Sequence, residues 1–119
     1  MSADPAPVTI AVAPTLSQVV SIDVRTLGRV TMAVQNLDAT QTMSGFLRQK
    51  VAPSMGYALS PSIALSTIAP AGSVDTDGNP TDCVSVAIDC GGFAVIEMWA
   101  RASGVGGNVK YALRKAGPK

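Results

Sequence analysis

Short runs in which apolar and polar residues alternate recur along most of this chain. In the segment 29–36 the apolar members are Val30, Met32 and Val34. Because successive side chains of a β-strand point to opposite faces, this spacing places all three on one face of a strand. The same period of two recurs in segments 8–12, 20–25, 84–88, 93–102 and 108–114. No helical periodicity lasts for more than about two turns, so we expect an all-β protein.

Turn-forming residues separate these runs at intervals of about 8 to 12 residues. We expect turns at Leu27-Gly28 and Gly91-Gly92, and a loop over the polar segment 36–42. The glycine-rich segment 104–107 is expected to form a hairpin loop that pairs segment 108–114 with segment 93–102. Together these features predict an antiparallel β-sandwich or jelly roll of about seven to eight short strands.

The chain of 119 residues suits one domain. We expect residues 1–7, which contain Pro5 and Pro7, to form a flexible N-terminal arm. Residues 8–115 would form the single sandwich domain, and residues 116–119 a short polar tail. Segment 51–73 has a weak pattern, and we expect a hidden strand within it because long structureless loops are rare in compact domains.

Charge and hydrophobicity exclude several classes of partner. Nine basic and eight acidic residues give a net charge of +1, and no dense basic patch is present, so we expect no nucleic-acid partner. No apolar run approaches the roughly 18 to 20 residues that span a bilayer, so we expect no membrane partner. The N-terminus lacks the cationic start and apolar stretch of a signal peptide, which favours synthesis and use without secretion.

The residues needed for catalysis are scarce. Histidine is absent, which removes the commonest general base and a common metal ligand. Cys83 and Cys90 have no basic neighbour within three residues, and we expect two free thiols, one buried and one half-buried. No serine stands in a nucleophile motif. We therefore expect neither enzymatic activity nor a cofactor.

An aspartate-rich turn offers the one pattern typical of an ion site. Oxygen ligands stand at the alternating positions Asp75, Asp77 and Asn79, with Asp82 beyond them. However, Pro80 occupies the position where a calcium-binding EF-hand loop has glycine. The pattern favours a solvated β-turn over an ion site, and a calcium titration followed by thermal melting distinguishes the two.

The segment 93–102 contains the only glutamate and the only tryptophan. Its uniformly apolar face is expected to look into the core; this face comprises Ala94, Ile96, Met98 and Ala100. The opposite face would point outward or toward a neighbour; it comprises Val95, Glu97, Trp99 and Arg101. Either Trp99 is covered by a loop of its own domain, or it anchors an interface and is flanked by an ionic pair.

Three segments together suggest a family. They are residues 91–104, residues 108–114, and residues 29–36 with the polar loop that follows. Their strand rhythm and loop style resemble the C-terminal hairpin and preceding strands of small β-sandwich structural proteins in tailed-phage virions. The resemblance covers most of residues 17–114 and implies a capsid decoration or cement protein on the outside of the head lattice, where such proteins are often trimeric.

We therefore expect a non-enzymatic virion structural protein, made in the host cytoplasm and bound to the major capsid protein or another virion protein. A homo-oligomer is expected, with a trimer favoured. The candidate interface residues lie in the arm, the 36–42 loop and one strand face: Pro5, Pro7, Asn36, Asp38, Val95, Glu97, Trp99 and Arg101. The alternatives are a tail, neck or baseplate accessory protein and a small carbohydrate-binding module, although aromatic residues make up only 4% of the chain.

Overall fold

The computed structural model describes residues 6–52 and 63–118. These residues form eight β-strands and no helix. The strands are β1 (Val8–Val12), β2 (Ser17–Asp23), β3 (Leu27–Asn36), β4 (Met43–Lys50), β5 (Ile63–Ile68), β6 (Cys83–Asp89), β7 (Val95–Ala102) and β8 (Gly107–Pro118). The predicted all-β class is confirmed.

The strands form two four-stranded antiparallel sheets. Sheet A has the order β1-β8-β3-β6, and sheet B has the order β2-β7-β4-β5. The pairing is nested, because β1 pairs with β8, β2 with β7, β3 with β6 and β4 with β5. A chain paired in this way is a long antiparallel ribbon wrapped into two facing sheets, which is the arrangement of a jelly roll. The predicted antiparallel sandwich of about eight strands is therefore confirmed.

The prediction of a hairpin at residues 104–107 is wrong. β7 lies in sheet B and β8 lies in sheet A, where β8 pairs with β1 and β3. The glycine-rich segment therefore carries the chain from one sheet to the other. Glycines allow a sharp change of direction, but they do not specify which strand the chain joins afterward. In sheet A, Val109 of β8 is buried in the core between the sheets.

The expected turn at Leu27-Gly28 is also wrong, because both residues belong to β3. The turn lies earlier, where the amide of Leu27 donates a hydrogen bond to the carbonyl oxygen of Val24 over 3.1 Å. Val24 itself is fully buried. The chain therefore reverses around a buried valine, and β3 begins as soon as its backbone can pair with β8.

The core lies between the two sheets and follows the predicted alternation. On β7 the apolar face is buried as expected, and Ile96 and Met98 are both 0% exposed. Met32 of sheet A and Leu47 of sheet B are equally buried. Partly buried apolar side chains extend this cluster toward both edges of the sandwich. The hydrophobic contact between the inner faces holds the sheets together.

β4 and β7 approach each other unusually closely at Gly45. A Cβ atom added there would overlap the carbonyl oxygen of Trp99 and would lie 2.9 Å from the Cα atom of Ala100. The register between β4 and β5 is irregular between Met43 and Gly45. Glycine is therefore required at this position because the backbone of the neighbouring strand occupies the space of a side chain.

The structure also tests the predictions for segment 51–73, for the C-terminal residues and for the cysteines. The strand expected within segment 51–73 is present as β5, and the remainder of that segment includes residues 53–62, which lie outside the described residues. β8 continues to Pro118, so it includes most of the segment 116–119 that the sequence suggests is a polar tail. Cys83 and Cys90 form no disulfide with each other; Cys90 is buried as expected, whereas Cys83 is exposed rather than half-buried.

Candidate binding surface

Opposed side chains of β4 and β7 form a cross-strand ladder on the outer face of sheet B. Phe46 lies opposite Trp99, Arg48 opposite Glu97, and Lys50 opposite Val95. Phe46, Arg48 and Lys50 alternate with the core-facing residues of β4, so all three point away from sheet A. We call Phe46, Arg48, Lys50, Glu97 and Trp99 the outer-face cluster.

Two aromatic rings and a guanidinium group form the outer part of this cluster. The rings of Phe46 and Trp99 are nearly parallel, with 12° between their planes and 6.4 Å between their centroids. The Cζ atom of Arg48 lies 4.7 Å from the Phe46 centroid and 5.1 Å from the Trp99 centroid. These distances allow cation–π attraction to both rings. All three side chains are half-buried, so they remain partly accessible to a partner.

The cluster also contains a nearly buried ion pair. The Nζ atom of Lys50 is 2.7 Å from Oε2 of Glu97, and the side chains are only 12% and 8% exposed. The indole Nε1 of Trp99 donates a hydrogen bond of 3.1 Å to Oε1 of the same carboxylate. Glu97 therefore holds the lysine with one oxygen and orients the tryptophan ring with the other.

The carboxyl group of Glu97 is kept ionised by these neighbours. Burial by itself would raise its pKa. Hydrogen bonds from Lys50 and Trp99, together with the positive charges of Lys50 and Arg48, outweigh that effect and hold the pKa below the usual glutamate value. Lys50 forms the ion pair with Glu97, and Arg48, which lies opposite Glu97, adds a second positive charge near the same carboxylate.

The four predicted interface residues on β7 differ in accessibility. Val95 and Glu97 are 7% and 6% exposed, because β7 is an inner strand of sheet B and is flanked by side chains of β2 and β4. Trp99 is half-buried and Arg101 is exposed. The ionic partner of Glu97 is Lys50 rather than its neighbour Arg101. Only Trp99 and Arg101 are therefore available for direct contact with another molecule.

Asn36 is buried, and its side chain serves to hold loops together. Its Nδ2 atom donates hydrogen bonds to the carbonyl oxygens of Gln41 over 2.6 Å and Ala69 over 3.1 Å. Its Oδ1 atom accepts one of 2.9 Å from the amide of Asp38. Since Asn36 is 0% exposed, it cannot contact a partner as its place in the 36–42 loop suggested. An asparagine at the end of a strand signals a turn, but sequence alone does not tell whether its amide faces inward.

Asp38 is half-buried and organises the same loop. Its Oδ1 atom accepts hydrogen bonds of 2.9 Å from the amides of Thr40 and Gln41, and these bonds lower the pKa of the Asp38 carboxyl. Gln41 extends the network, because its Oε1 atom accepts bonds of 2.9 Å from the amides of Gly104 and Gly106. The polar loop thus braces the glycine-rich crossing between the sheets.

The predicted arm residues are only partly described. Pro7 is exposed and borders a cleft of about 260 Å³ on sheet A. Pro5 lies outside the described residues. The role expected for the arm as a whole therefore stays a prediction.

In the aspartate-rich turn, carboxylate oxygens accept hydrogen bonds from nearby backbone amides. Oδ1 of Asp75 accepts hydrogen bonds of 2.9 Å from the amides of Asp77 and Asn79, which lower the pKa of the Asp75 carboxyl. Gly78 adopts a φ of +83°, which favours glycine. Oδ2 of Asp82 accepts a bond from the amide of Gly72 instead. Within residues 6–52 and 63–118, no group of three or more His, Cys, Asp or Glu side chains could hold a metal ion.

Sequence reasoning identified Trp99 and Glu97 but missed Phe46, Arg48 and Lys50 as their partners. The signal was the spacing of these three residues at every second position of β4. It carried no information on which strand would lie beside β4.

Comparisons with known proteins do not assign this chain to a family. No protein-family model matches the chain, and no curated protein matches it. No helix long and apolar enough to cross a membrane occurs in the described part of the chain.

Proposed function

We propose that this chain is a non-enzymatic virion structural protein of the capsid-decoration type, which binds the outside of a viral head lattice through the outer-face cluster. The jelly roll supports this proposal because viral capsid proteins use that fold. Lectins use it as well, so the fold alone assigns no function. The observation that carries the proposal is the accessible group of Phe46, Arg48 and Trp99 on an ordered sheet face.

The composition of the cluster suits a protein partner. Tryptophan and arginine are the residue types most enriched among those that dominate binding energy at protein interfaces. Here the Trp99 ring is oriented by Glu97, which is itself held by Lys50. A side chain that is already oriented loses little conformational entropy on binding, so more of its contact energy contributes to affinity.

A polar cleft adjoins the cluster and supplies hydrogen-bonding groups. Arg101 lies opposite Ser44 in the next row of the ladder. Both line a cleft of about 400 Å³ that also includes Thr42, Thr67 and Ser103. An apolar centre beside a polar rim is the usual composition of a protein–protein interface. We propose that the aromatic part of the surface provides affinity and that the cleft provides hydrogen bonds.

The test is co-sedimentation of the purified chain with tailed-phage heads stripped of their decoration protein. Trp99→Ala should weaken binding by about 2 kcal/mol or more, or roughly 30-fold, while the monomer stays folded. Arg48→Ala should also weaken binding. The matched control is Arg29→Ala, because Arg29 is an exposed arginine on sheet A, and this change should leave binding as it is.

The alternative outcomes separate the rival virion roles. Binding to tails or baseplates with none to heads would replace the decoration role with that of a tail, neck or baseplate accessory. Binding to heads that is equally strong in Trp99→Ala and Arg48→Ala would contradict the assignment of the outer-face cluster. No binding to any virion part would overturn the proposal.

The aromatic pair also favours a second candidate function, that of a carbohydrate-binding module. Sugar rings pack against aromatic faces, and the rings of Phe46 and Trp99 are within 12° of parallel. Arg48 lies close to both ring centroids, however, and occupies space that a stacked sugar needs. Binding of the isolated chain to a glycan array, with loss in Phe46→Leu, would support this function over the first.

A further inference from the structure

One edge of sheet A lacks the features that usually prevent strands of different molecules from pairing. Among the described residues, β1 hydrogen-bonds to β8 alone, so its other side is a free edge. The residues of β1, Val-Thr-Ile-Ala-Val, include no charge and no proline. Its register with β8 runs without a bulge from Val8 to Val12. Natural edge strands usually carry lysine, proline or a bulge because an uncharged straight edge is a template for another strand.

The nearest edge of the other sheet is protected. β2 has an irregular register between Gln18 and Val20 and ends in the exposed Asp23, which pairs with Arg25. Both features oppose the addition of a strand. Of the two neighbouring edge strands β1 and β2, β1 is therefore the one open to the addition of another strand.

The surroundings of β1 are apolar and uncharged. A cleft of about 560 Å³ lies between the two sheet edges, and its lining, from residues 10–14, 17–19 and 105–108, includes no charged residue. Val8 and Val105 are 44% and 92% exposed, and Leu16, just before β2, is 44% exposed. A charged segment would lose solvation here without a compensating partner. The surface therefore suits an uncharged extended strand.

We propose that β1 pairs with β1 of a second copy of this chain, antiparallel and about a two-fold axis at Ile10. This register places Val8 opposite Val12 of the second copy and Thr9 opposite Ala11, so no charged side chain faces another. The free backbone amides and carbonyls of both edges become paired, and two four-stranded sheets join into one of eight strands. The proposal concerns sheet A and is independent of the function proposed for sheet B.

The length of β1 sets the expected strength of this pair. Five residues span about 17 Å, so the contact buries less than the roughly 1,200 Å² of a stable dimer. We therefore expect a concentration-dependent dimer with a dissociation constant on the order of 10 µM to 1 mM. Such a contact becomes significant where many copies are held close together.

The test is sedimentation velocity of the full chain from low to high micromolar concentration. The variant T9K/A11K places lysines directly opposite lysines of the second copy and should weaken dimerisation by about tenfold or more. Its matched control is S85K/A87K, which adds the same two charges with the same spacing to exposed positions of β6 on the same sheet. The control should dimerise like the unaltered chain.

A disulfide trap tests the register. In a Cys83→Ser background, T9C/A11C should form a covalent dimer under copper–phenanthroline oxidation, because directly opposed antiparallel residues have Cα atoms within the range of a disulfide. The control S85C/A87C should stay monomeric. A monomer at every concentration would overturn the proposal, as would a dimer or trimer that T9K/A11K leaves unchanged. Thermal melting of T9K/A11K confirms that the variant is folded.

Discussion

The ammonium group of Lys50 and the carboxylate of Glu97 lie 2.7 Å apart on neighbouring strands, on the solvent side of sheet B. Both side chains are nevertheless almost fully covered. Because the Trp99 indole donates to the same carboxylate, this ion pair determines how the aromatic part of the outer-face cluster is presented.

Glu97→Gln should destabilise the protein by about 2 kcal/mol, because it leaves Lys50 covered without its counter-charge. The measurement is the free energy of unfolding in urea at pH 7. The control is Asp23→Asn, which breaks the exposed Arg25–Asp23 pair of 2.7 Å, with side chains 64% and 59% exposed. It should cost much less than Glu97→Gln, because solvent screens an exposed ion pair. Equal losses in the two variants would contradict the role given to Glu97.

The contribution of Glu97 should disappear in acid. Because folding lowers its pKa, the stabilisation is complete above the ordinary glutamate pKa of about 4.3. It is lost as the pH falls through the lowered pKa of the folded state. The free-energy difference between the unaltered chain and Glu97→Gln should therefore be constant near neutrality and shrink below about pH 4. A difference that stays the same down to pH 2 would show that Glu97 acts by packing alone.

Gly45→Ala should destabilise the protein by about 3 kcal/mol or more, because the new Cβ atom would overlap the backbone of β7. The measurement is the denaturation midpoint in guanidinium chloride. Gly91→Ala is the matched control, since its nearest contact would be a side-chain oxygen of Asp89 at 3.2 Å, which can move. A similar stability of the two variants would show that β4 can shift away from β7.

Asn36→Ala should cost about 3 kcal/mol, because it leaves buried carbonyl groups of the 36–42 and 68–69 segments without donors. Hydrogen exchange should show faster exchange of the Gly104 and Gly106 amides, which the neighbouring Gln41 binds. The control Asn108→Ala removes an exposed asparagine and should change little. Unchanged stability in Asn36→Ala would mean that water replaces its amide.

Much of the fold could be predicted because a strand has a simple local signature. The alternation of Val30, Met32 and Val34 identified the inner face of β3. The alternation within segment 93–102 identified the inner face of β7 in the same way. The polar loop at 36–42 could be predicted as well, since its residues form local hydrogen bonds. The direction of the Asn36 side chain could not be predicted, because it depends on a hydrogen bond to the carbonyl of Ala69, 33 positions away.

Which strands become neighbours was decided by the tertiary structure. Residues 95–102 and 107–118 look like two arms of a hairpin, yet they lie in different sheets, because closing the sandwich buries both apolar faces. The same assembly brought Lys50 to Glu97 and Phe46 to Trp99. By itself the sequence determined the all-β class, the faces of the strands and the positions of most turns, since these depend on residues close together in the chain. The pairing of strands, and with it the outer-face cluster and the free edge of β1, depends on contacts between distant segments, which no local pattern specifies.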